Sequence, residues 1–443
     1  MKKAVIITYY WPPAGGSGVQ RWLKFVKYFR NYGIEPVVYT PENPEMMAVD
    51  SSLLSEIPQG ATVIKRRITE PYGLYKLLTG KSGEQIKPGF ITDGAGKRGG
   101  GWKESLSLFI RSNLFIPDPK CLWIRPSVKF LTKYLKDNPV DIIISTGPPH
   151  SMHLIAEKVA KATNIPWIAD FRDPWTGMYT FKSMKNSPLT VLIHKKMEKR
   201  VVREADAVVV VTNYMKKELS AHNPRRAEVI TNGFDKDDYR DIVVNPDKEF
   251  SITYTGLFVK DRNPSQLWRV LGEKAASDKN FKKDLIIKII GHTDKIITDE
   301  ILANGLENNL YRKEYVPHRE AIALQKSARV LLLAGGQQPE AAGILTGKFF
   351  EYLASGNKIL AFGPAGGDMD TALRESGAGE MFEYNDYQRV KEWIEREYER
   401  CRKGETGINS GDIDKYSREK LCEKMSVLIE DILSKKENKK EKF

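Results

Sequence analysis

The chain has 443 residues, 41% of them hydrophobic and 29% charged, and carries a net charge of +13. That length exceeds the roughly 250 to 300 residues at which one core stops growing, so two domains of about 200 residues each are expected, and the composition excludes a disordered chain. There is no run of about 18 apolar residues and no signal-peptide pattern, which points to a cytoplasmic protein, and Cys121, Cys401 and Cys422 are too few and too far apart for a disulfide framework or a thiolate zinc site.

The first third alternates short apolar strands with helices. AVIITYY (4–10) reads as a buried strand, VQRWLKFVKYFRNYG (19–33) as an amphipathic helix closed by a glycine, and PVVYT (36–40) as the next, parallel strand. Between them lies PPAGGSGVQR (12–21). A strand, glycines and a helix start together offer free backbone amides and the positive end of a helix dipole, a seat for an anion. The spacing is not G-x-G-x-x-G, no Lys-Ser/Thr pair marks a P-loop, and Glu42 lies beyond a proline where a dinucleotide site wants its acidic residue. A tight-packing turn is the plainer alternative.

From Lys65 to Lys136 there are 15 Lys or Arg against 5 Asp or Glu, so this stretch holds most of the net charge. It suits an anionic surface, nucleic acid or membrane, or else a solvated face. Within it WKESLSLFIRSNLFI (102–116) has Leu106, Phe109, Ile110, Leu114 and Phe115 spaced to share one helix face, which reads as an interfacial helix or as one packed on its own domain.

Alternation resumes with DIIIST (141–146), HLIAEKVAKATN (153–164), PWIADF (166–171), ADAVVVVT (205–212) and VIT (229–231). Two loops, STGPPHSMH and DFRDPWTG, follow strands at the end where doubly wound sheets bind ligands. They present His150, Arg172, Asp173 and Trp175. Arg172 and Asp173 fit either a catalytic wall or a salt bridge bracing the loop, and His150 with His153 lacks the further ligand a metal site needs.

The polar stretch 240–250 reads as a linker, after which a second alternation runs through SITYTG, LIIKIIG, ARVLLLAGG, the helix KFFEYLAS and KILAFG. In GILTGKFFEYLASGNKILAFGP, Gly343 and Gly347 free the backbone beside Thr346, Lys348 sits on the first helical turn, and Glu351 follows on the same face. A cation for phosphates and a carboxylate for paired hydroxyls would read a nucleoside diphosphate. Arg262, after the strand end YTG, adds a second cation. The lysine-rich tail SKKENKKEKF reads as frayed.

The set YYWPPAGGSGVQR, TGPPHS, DFRDPW, ADAVVVVTNYMKKEL, VITNGFD, YTGLF and TGKFFEYLASGNKILAFGP resembles the retaining glycosyltransferases of family four, also called group 1. The resemblance implies the α/β GT-B fold: two Rossmann-like doubly wound domains facing each other across a cleft. Domain one would span 1–240, on the acceptor side, with the basic insertion at about 65–136. Domain two, 241–410, would bind the nucleotide sugar, and 411–443 would form a helix returning to domain one. Asn232 and Gly233 would begin the crossover.

By the same resemblance Gly15, Gly16, Arg262 and Lys348 bind the donor diphosphate, and Glu351 holds the ribose. Tyr315, Val316 and Pro317 bound the nucleobase, and Gly343, Thr346 and Gly347 lend backbone to the donor loop. Asp173 and Arg172 act on the reaction side, with His150 and Trp175 towards the acceptor. The family's first donor-gripping glutamate is replaced by Gly343. The implied mechanism is front-face retention through an oxocarbenium-like transition state, the departing diphosphate taking the acceptor proton. The Asp-x-Asp triplets at 368–370 and 412–414 lie downstream of the donor helix, so no metal and no cofactor beyond the donor is expected.

The function implied is sugar transfer from a nucleotide diphosphate sugar to a glycan or lipid-linked acceptor in cell-surface polysaccharide assembly, peripheral to an anionic membrane at the inner face of the plasma membrane. A nucleotide-sugar 2-epimerase of the same fold is one alternative. A basic nucleic-acid-binding protein is another, but aromatic and basic residues are not interleaved as such binding requires, so no nucleic-acid partner is expected.

Overall fold

A computed structural model describes residues 1–46, 49–69, 112–178, 181, 182, 184, 186–405, 407 and 413–440. The expectations for the centre of the basic insertion, the 103–111 part of the helix expected over 103–115, and Asp412 fall outside these residues. The chain divides into unit 1, residues 1–231 with 419–443, and unit 2, residues 232–418.

Unit 1 begins with β1 (Lys2–Ile7), α1 (Ser17–Phe29), β2 (Ile34–Pro41) and β3 (Thr62–Arg66). It continues through α2 (Ile124–Asp137), β4 (Ile142–Gly147), α3 (Ser151–Thr163), β5 (Trp167–Phe171), α4 (Pro188–Glu204), β6 (Ala207–Val210), α5 (Asn213–Ser220) and β7 (Ala227–Val229). Strands β1, β4, β5 and β6 are near-continuous apolar runs because both faces of the sheet are covered. The seven strands are parallel in the order β3-β2-β1-β4-β5-β6-β7. The order reverses between β1 and β4, so the loops leaving those two strands diverge and leave a crevice at their carboxyl ends.

One face of this sheet is covered by α2, α3 and α4, the other by α1 and by the last helix of the chain (Arg418–Lys440). That helix inserts Leu421, Met425, Leu428 and Ile432, spaced three or four residues apart, among Trp22, Phe25 and Phe29 of α1.

Unit 2 repeats the plan with β8 (Phe250–Thr255), α6 (Ser265–Ser277), α7 (Lys279–Asp284), β9 (Leu285–Ile290), α8 (Lys295–Ala303), β10 (Leu310–Lys313), α9 (His318–Ser327) and β11 (Val330–Ala334). It closes with α10 (Gly347–Ser355), β12 (Lys358–Phe362), α11 (Asp368–Ser376), β13 (Gly379–Phe382) and α12 (Tyr387–Arg402). The six parallel strands run β10-β9-β8-β11-β12-β13, with the reversal between β8 and β11. Core clusters lie on both faces of this sheet too.

The polar linker expected at 240–250 is not where the units part. Residues from Asn232 onward already pack in unit 2: Phe234 joins its core, and the Tyr239 hydroxyl donates to the Glu351 carbonyl at 3.3 Å. A buried phenylalanine outweighs the polar composition around it. The structure adds β3, β10 and β13, short edge-side strands with too few apolar residues to be marked in the sequence.

Candidate active site

In unit 1 the loop leaving β1 carries Gly15 and Gly16. Gly16 has φ 96° and caps α1, a conformation that suits glycine, and α1 starts with neither a side-chain cap nor an acidic residue in its first turn. The positive end of its dipole is therefore not offset locally.

The same helix anchors the sheet. Arg21, wholly buried, donates from Nη2 to Asp170 Oδ1 at 2.8 Å, and from Nη1 and Nη2 to the Thr231 and Ile230 carbonyls at 2.7 and 2.9 Å. Asp170, at the end of β5, also accepts from Trp22 Nε1 and Thr146 Oγ1, both at 2.8 Å. Burial alone would raise the Asp170 carboxyl, but the Arg21 guanidinium and these donors hold it below the usual carboxylate range. Neither Arg21 nor Asp170 was singled out by sequence; a charged residue inside the apolar strand PWIADF was the signal.

Two residues on, Arg172 turns back to α1. Its Nη1 donates to the Gly18 carbonyl at 3.0 Å, its Nη2 donates to the Pro148 carbonyl, and the guanidinium lies 5.5 Å from the centre of the Tyr10 ring. A Cβ on Gly18 would come within 2.6 Å of Arg172 Nη1, so glycine is needed there. Arg172 thus ties the glycine loop, the Gly147–Pro149 loop and its own loop together. Burial pushes the neighbouring Asp173 carboxyl up, with Arg172 opposing.

His150 lies face to face with Trp175, ring centres 4.3 Å apart and 1° from parallel, and Trp175 Nε1 donates to His194 Nδ1 at 3.0 Å. His153 shares a 2.8 Å hydrogen bond with Ser145 Oγ, which also accepts from Trp167 Nε1. Burial holds all three imidazoles neutral: His150 falls well below its ordinary value, His153 to about 3 and His194 to about 4. Among the described residues no group of three or more His, Cys, Asp or Glu is placed to hold a metal. Asp370 of the 368–370 triplet is occupied locally, accepting from Gly366 N at 2.7 Å and pairing with Arg374.

In unit 2 the candidate donor residues converge at the crevice between β8 and β11. Lys348 Nζ, one residue into α10, donates to the Tyr254 hydroxyl at 3.0 Å and lies 4.4 Å from the centre of that ring. Burial, together with the nearby Arg262 cation, lowers Lys348 to about 8, with Glu351 opposing both. Burial likewise raises Tyr254 to about 12, against the pull of Arg262. Arg262, distant in sequence, and Glu351, one turn along α10, therefore both lie within electrostatic reach of Lys348.

The cradle is glycine-built. Gly256 has φ 98°, and a Cβ there would meet Lys348 Cε and Nζ at 2.7 and 2.8 Å. Thr346 caps α10, its Oγ1 accepting from Phe349 N at 3.4 Å, and a Cβ on Gly347 would enter open space. Glu351 is oriented by Gln325: Nε2 of this buried amide donates to Glu351 Oε2 at 3.2 Å and to Thr255 Oγ1 at 3.1 Å. Gly343 ends a 3-10 turn, Pro339–Gly343, and offers no carboxylate at that position. Of the three residues assigned to the nucleobase, Val316 is buried, Pro317 is exposed, and Tyr315 stands in solvent, 84% exposed. Tyr254, Gln325 and Gly256 were not assigned by sequence, because nothing local distinguishes them from core tyrosines, helix glutamines and turn glycines.

Two parallel, doubly wound α/β units, each with its switch-point crevice lined by glycines and by charged or titratable side chains, define the GT-B fold of glycosyltransferases. Residues 95–238 match Glycosyltransferase Family 4, and the chain as a whole has the GT-B fold. Similar solved structures include sucrose-phosphate synthase from Thermosynechococcus elongatus, 13% identical, covering 98% of this chain and 100% of that one with a TM-score of 0.59. The lipopolysaccharide outer core galactosyltransferase WaaB is 15% identical, covering 97% and 99%, with a TM-score of 0.55. A protein from Listeria monocytogenes described as a UDP-N-acetylglucosamine 2-epimerase is 10% identical, covering 98% and 97%, with a TM-score of 0.56. No curated protein matches the sequence.

Proposed function

We propose that the chain is a retaining glycosyltransferase that takes a sugar from a nucleoside diphosphate sugar and passes it to a glycan or lipid-linked acceptor, in cell-surface polysaccharide assembly at the inner face of the membrane. The observation that carries the reading is the convergence of Lys348, Arg262 and Glu351 around Gly256 and the start of α10. Two cations and open helix amides suit a diphosphate, and a carboxylate one turn away suits the ribose diol.

In this reading Arg262 and Lys348 stabilise the charge that develops on the leaving diphosphate, which is the main electrostatic work of the step. The diphosphate oxygen accepts the acceptor's proton as the glycosidic bond to the donor breaks and the new one forms on the same face. Asp173 is the polar group on the reaction side in unit 1, Arg172 positions its loop, and His150 with Trp175 forms an apolar, uncharged wall towards the acceptor. The start of α1 behind Gly15 and Gly16 is the anion seat of unit 1. No metal is assigned a role.

The test is a thermal-shift panel of nucleoside diphosphates and their sugars on the full chain. One or more should raise Tm by several degrees; no response to any of them would remove the reading. A 2-epimerase is the second reading, supported by the fold shared with the Listeria protein. Conversion of the donor to its epimer without acceptor would establish it.

A further inference from the structure

The outward face of α4 is ordered in an unusual way. The helix buries Thr190, His194, Glu198, Val201 and Val202. On the opposite side Leu189, Leu192, Lys196, Lys199 and Arg203 are all exposed. At about 100° per residue their spacing confines them to an arc of about 80°. The stripe therefore runs along one line of the helix, leucines first and cations after.

Leu189 is 66% exposed and Leu192 49%. A third leucine joins them: Asn113 Oδ1 accepts from Ser187 N and from Thr190 Oγ1, both at 2.7 Å, which carries Leu114, 70% exposed, beside the first turn of α4. Scattered exposed leucines need no explanation, but three gathered at one helix end form a patch. Lys196, Lys199 and Arg203 form no ion pair with any described carboxylate, whereas on the inner flank Arg200 is paired with Glu157 at 2.8 Å. The same helical layer carries a second exposed basic line on α2, made of Arg125, Lys129, Lys133 and Lys136.

We propose that this stripe is the surface by which the protein sits on an anionic lipid bilayer, with Leu114, Leu189 and Leu192 entering the headgroup boundary and Lys196, Lys199 and Arg203 lying against the lipid phosphates. Charge complementarity and the apolar tip argue for it together: leucines gain by leaving water, and cations gain near an anionic surface. A nucleic acid would use the cations and gain nothing from the leucines. The proposal rests on the lipid-linked acceptor reading for its purpose, not for its geometry.

Flotation of the full chain with vesicles tests it. The protein should float with phosphatidylcholine vesicles containing about one-third phosphatidylglycerol, should be released by salt, and should stay behind with pure phosphatidylcholine. The L189S/L192S and K196E/K199E pairs should each lower partitioning by about tenfold or more. Both should keep the wild-type Tm and nucleotide response, since no residue of the donor site is touched. Flotation equal to wild type in both double variants would overturn the proposal, as would equal binding to neutral vesicles or none to anionic ones. DNA binding lost in K196E/K199E but kept in L189S/L192S, without flotation, would assign the surface to nucleic acid and overturn it too. A chain that floats but ignores every nucleotide would sink the transferase reading and leave the surface standing.

Discussion

Arg21 and Asp170 form an ion pair with both side chains wholly shielded from water, and that pair joins the helix after β1 to the end of β5. It closes on itself: Arg21 spends its remaining donors on the Ile230 and Thr231 carbonyls, and Asp170 its remaining lone pairs on Trp22 and Thr146. The glycine loop and the loop bearing Arg172 and Asp173 are thereby set on one rigid frame.

Breaking one side of that pair strands a buried charge. Asp170→Ala should destabilise unit 1 by about 3 to 5 kcal/mol, read as a lower urea midpoint, and Arg21→Met with Asp170→Leu should recover part of the loss. A change under about 1 kcal/mol in the single variant would show that Arg21 finds another partner or water.

The neutral histidines make the protein acid-sensitive. His150 and His153 are held below the ordinary value of 6.5, so as pH falls through 6.5 the unfolded chain takes up protons that the folded one refuses. Stability should be full above about pH 6.5 and fall below it by about 1.4 kcal/mol per pH unit for each of these two and for His194, which is lowered to about 4. The Asp170 contribution, with its carboxyl depressed, is present above the unfolded value and lost only at lower pH. Urea midpoints that stay level between pH 7.5 and 5 would contradict this.

Lys348, lowered to about 8, should lose its charge in the free protein as pH rises through that value. Affinity for a nucleoside diphosphate should fall by up to about tenfold per pH unit above it, less where the ligand itself holds the proton on. Lys348→Arg should flatten the profile and Lys348→Ala should weaken binding at every pH. Calorimetric titration from pH 7 to 9.5 distinguishes these cases, and a flat wild-type profile would remove Lys348 from the diphosphate.

Gly256→Ala adds a methyl group within 2.8 Å of Lys348 Nζ, at a backbone φ of 98°. The left-handed conformation costs a Cβ-bearing residue about 1 to 2 kcal/mol, and the lysine must also move. Both stability and nucleotide affinity should drop; affinity kept at the wild-type level would mean that Lys348 is not held where binding needs it.

Much of the fold was legible because buried parallel strands are predominantly apolar, and β1, β4, β5, β6, β8, β9, β11 and β12 are, with only isolated polar or charged positions such as Asp170 and Lys288. The edge-side strands β3 and β10 were not, since TVIKR and LYRK are too short and too rich in charged residues to stand out from the loops around them. In the site, Lys348 and Glu351 were legible from helix spacing on one short segment. Tyr254, which receives the lysine, and Gln325, which orients the glutamate, were not, because each is brought in from another element.

The sequence by itself determined the alternation of strands and helices, the glycine-marked loop positions and the surplus of positive charge, all of which are local patterns of residue type. Only the tertiary structure decided that Arg21 answers Asp170 and that Gly18 makes room for Arg172, because a contact between distant residues depends on strand order. It also decided that the leucines and cations of α4 face away from the core, since periodicity gives a stripe its line but packing alone chooses which side meets solvent.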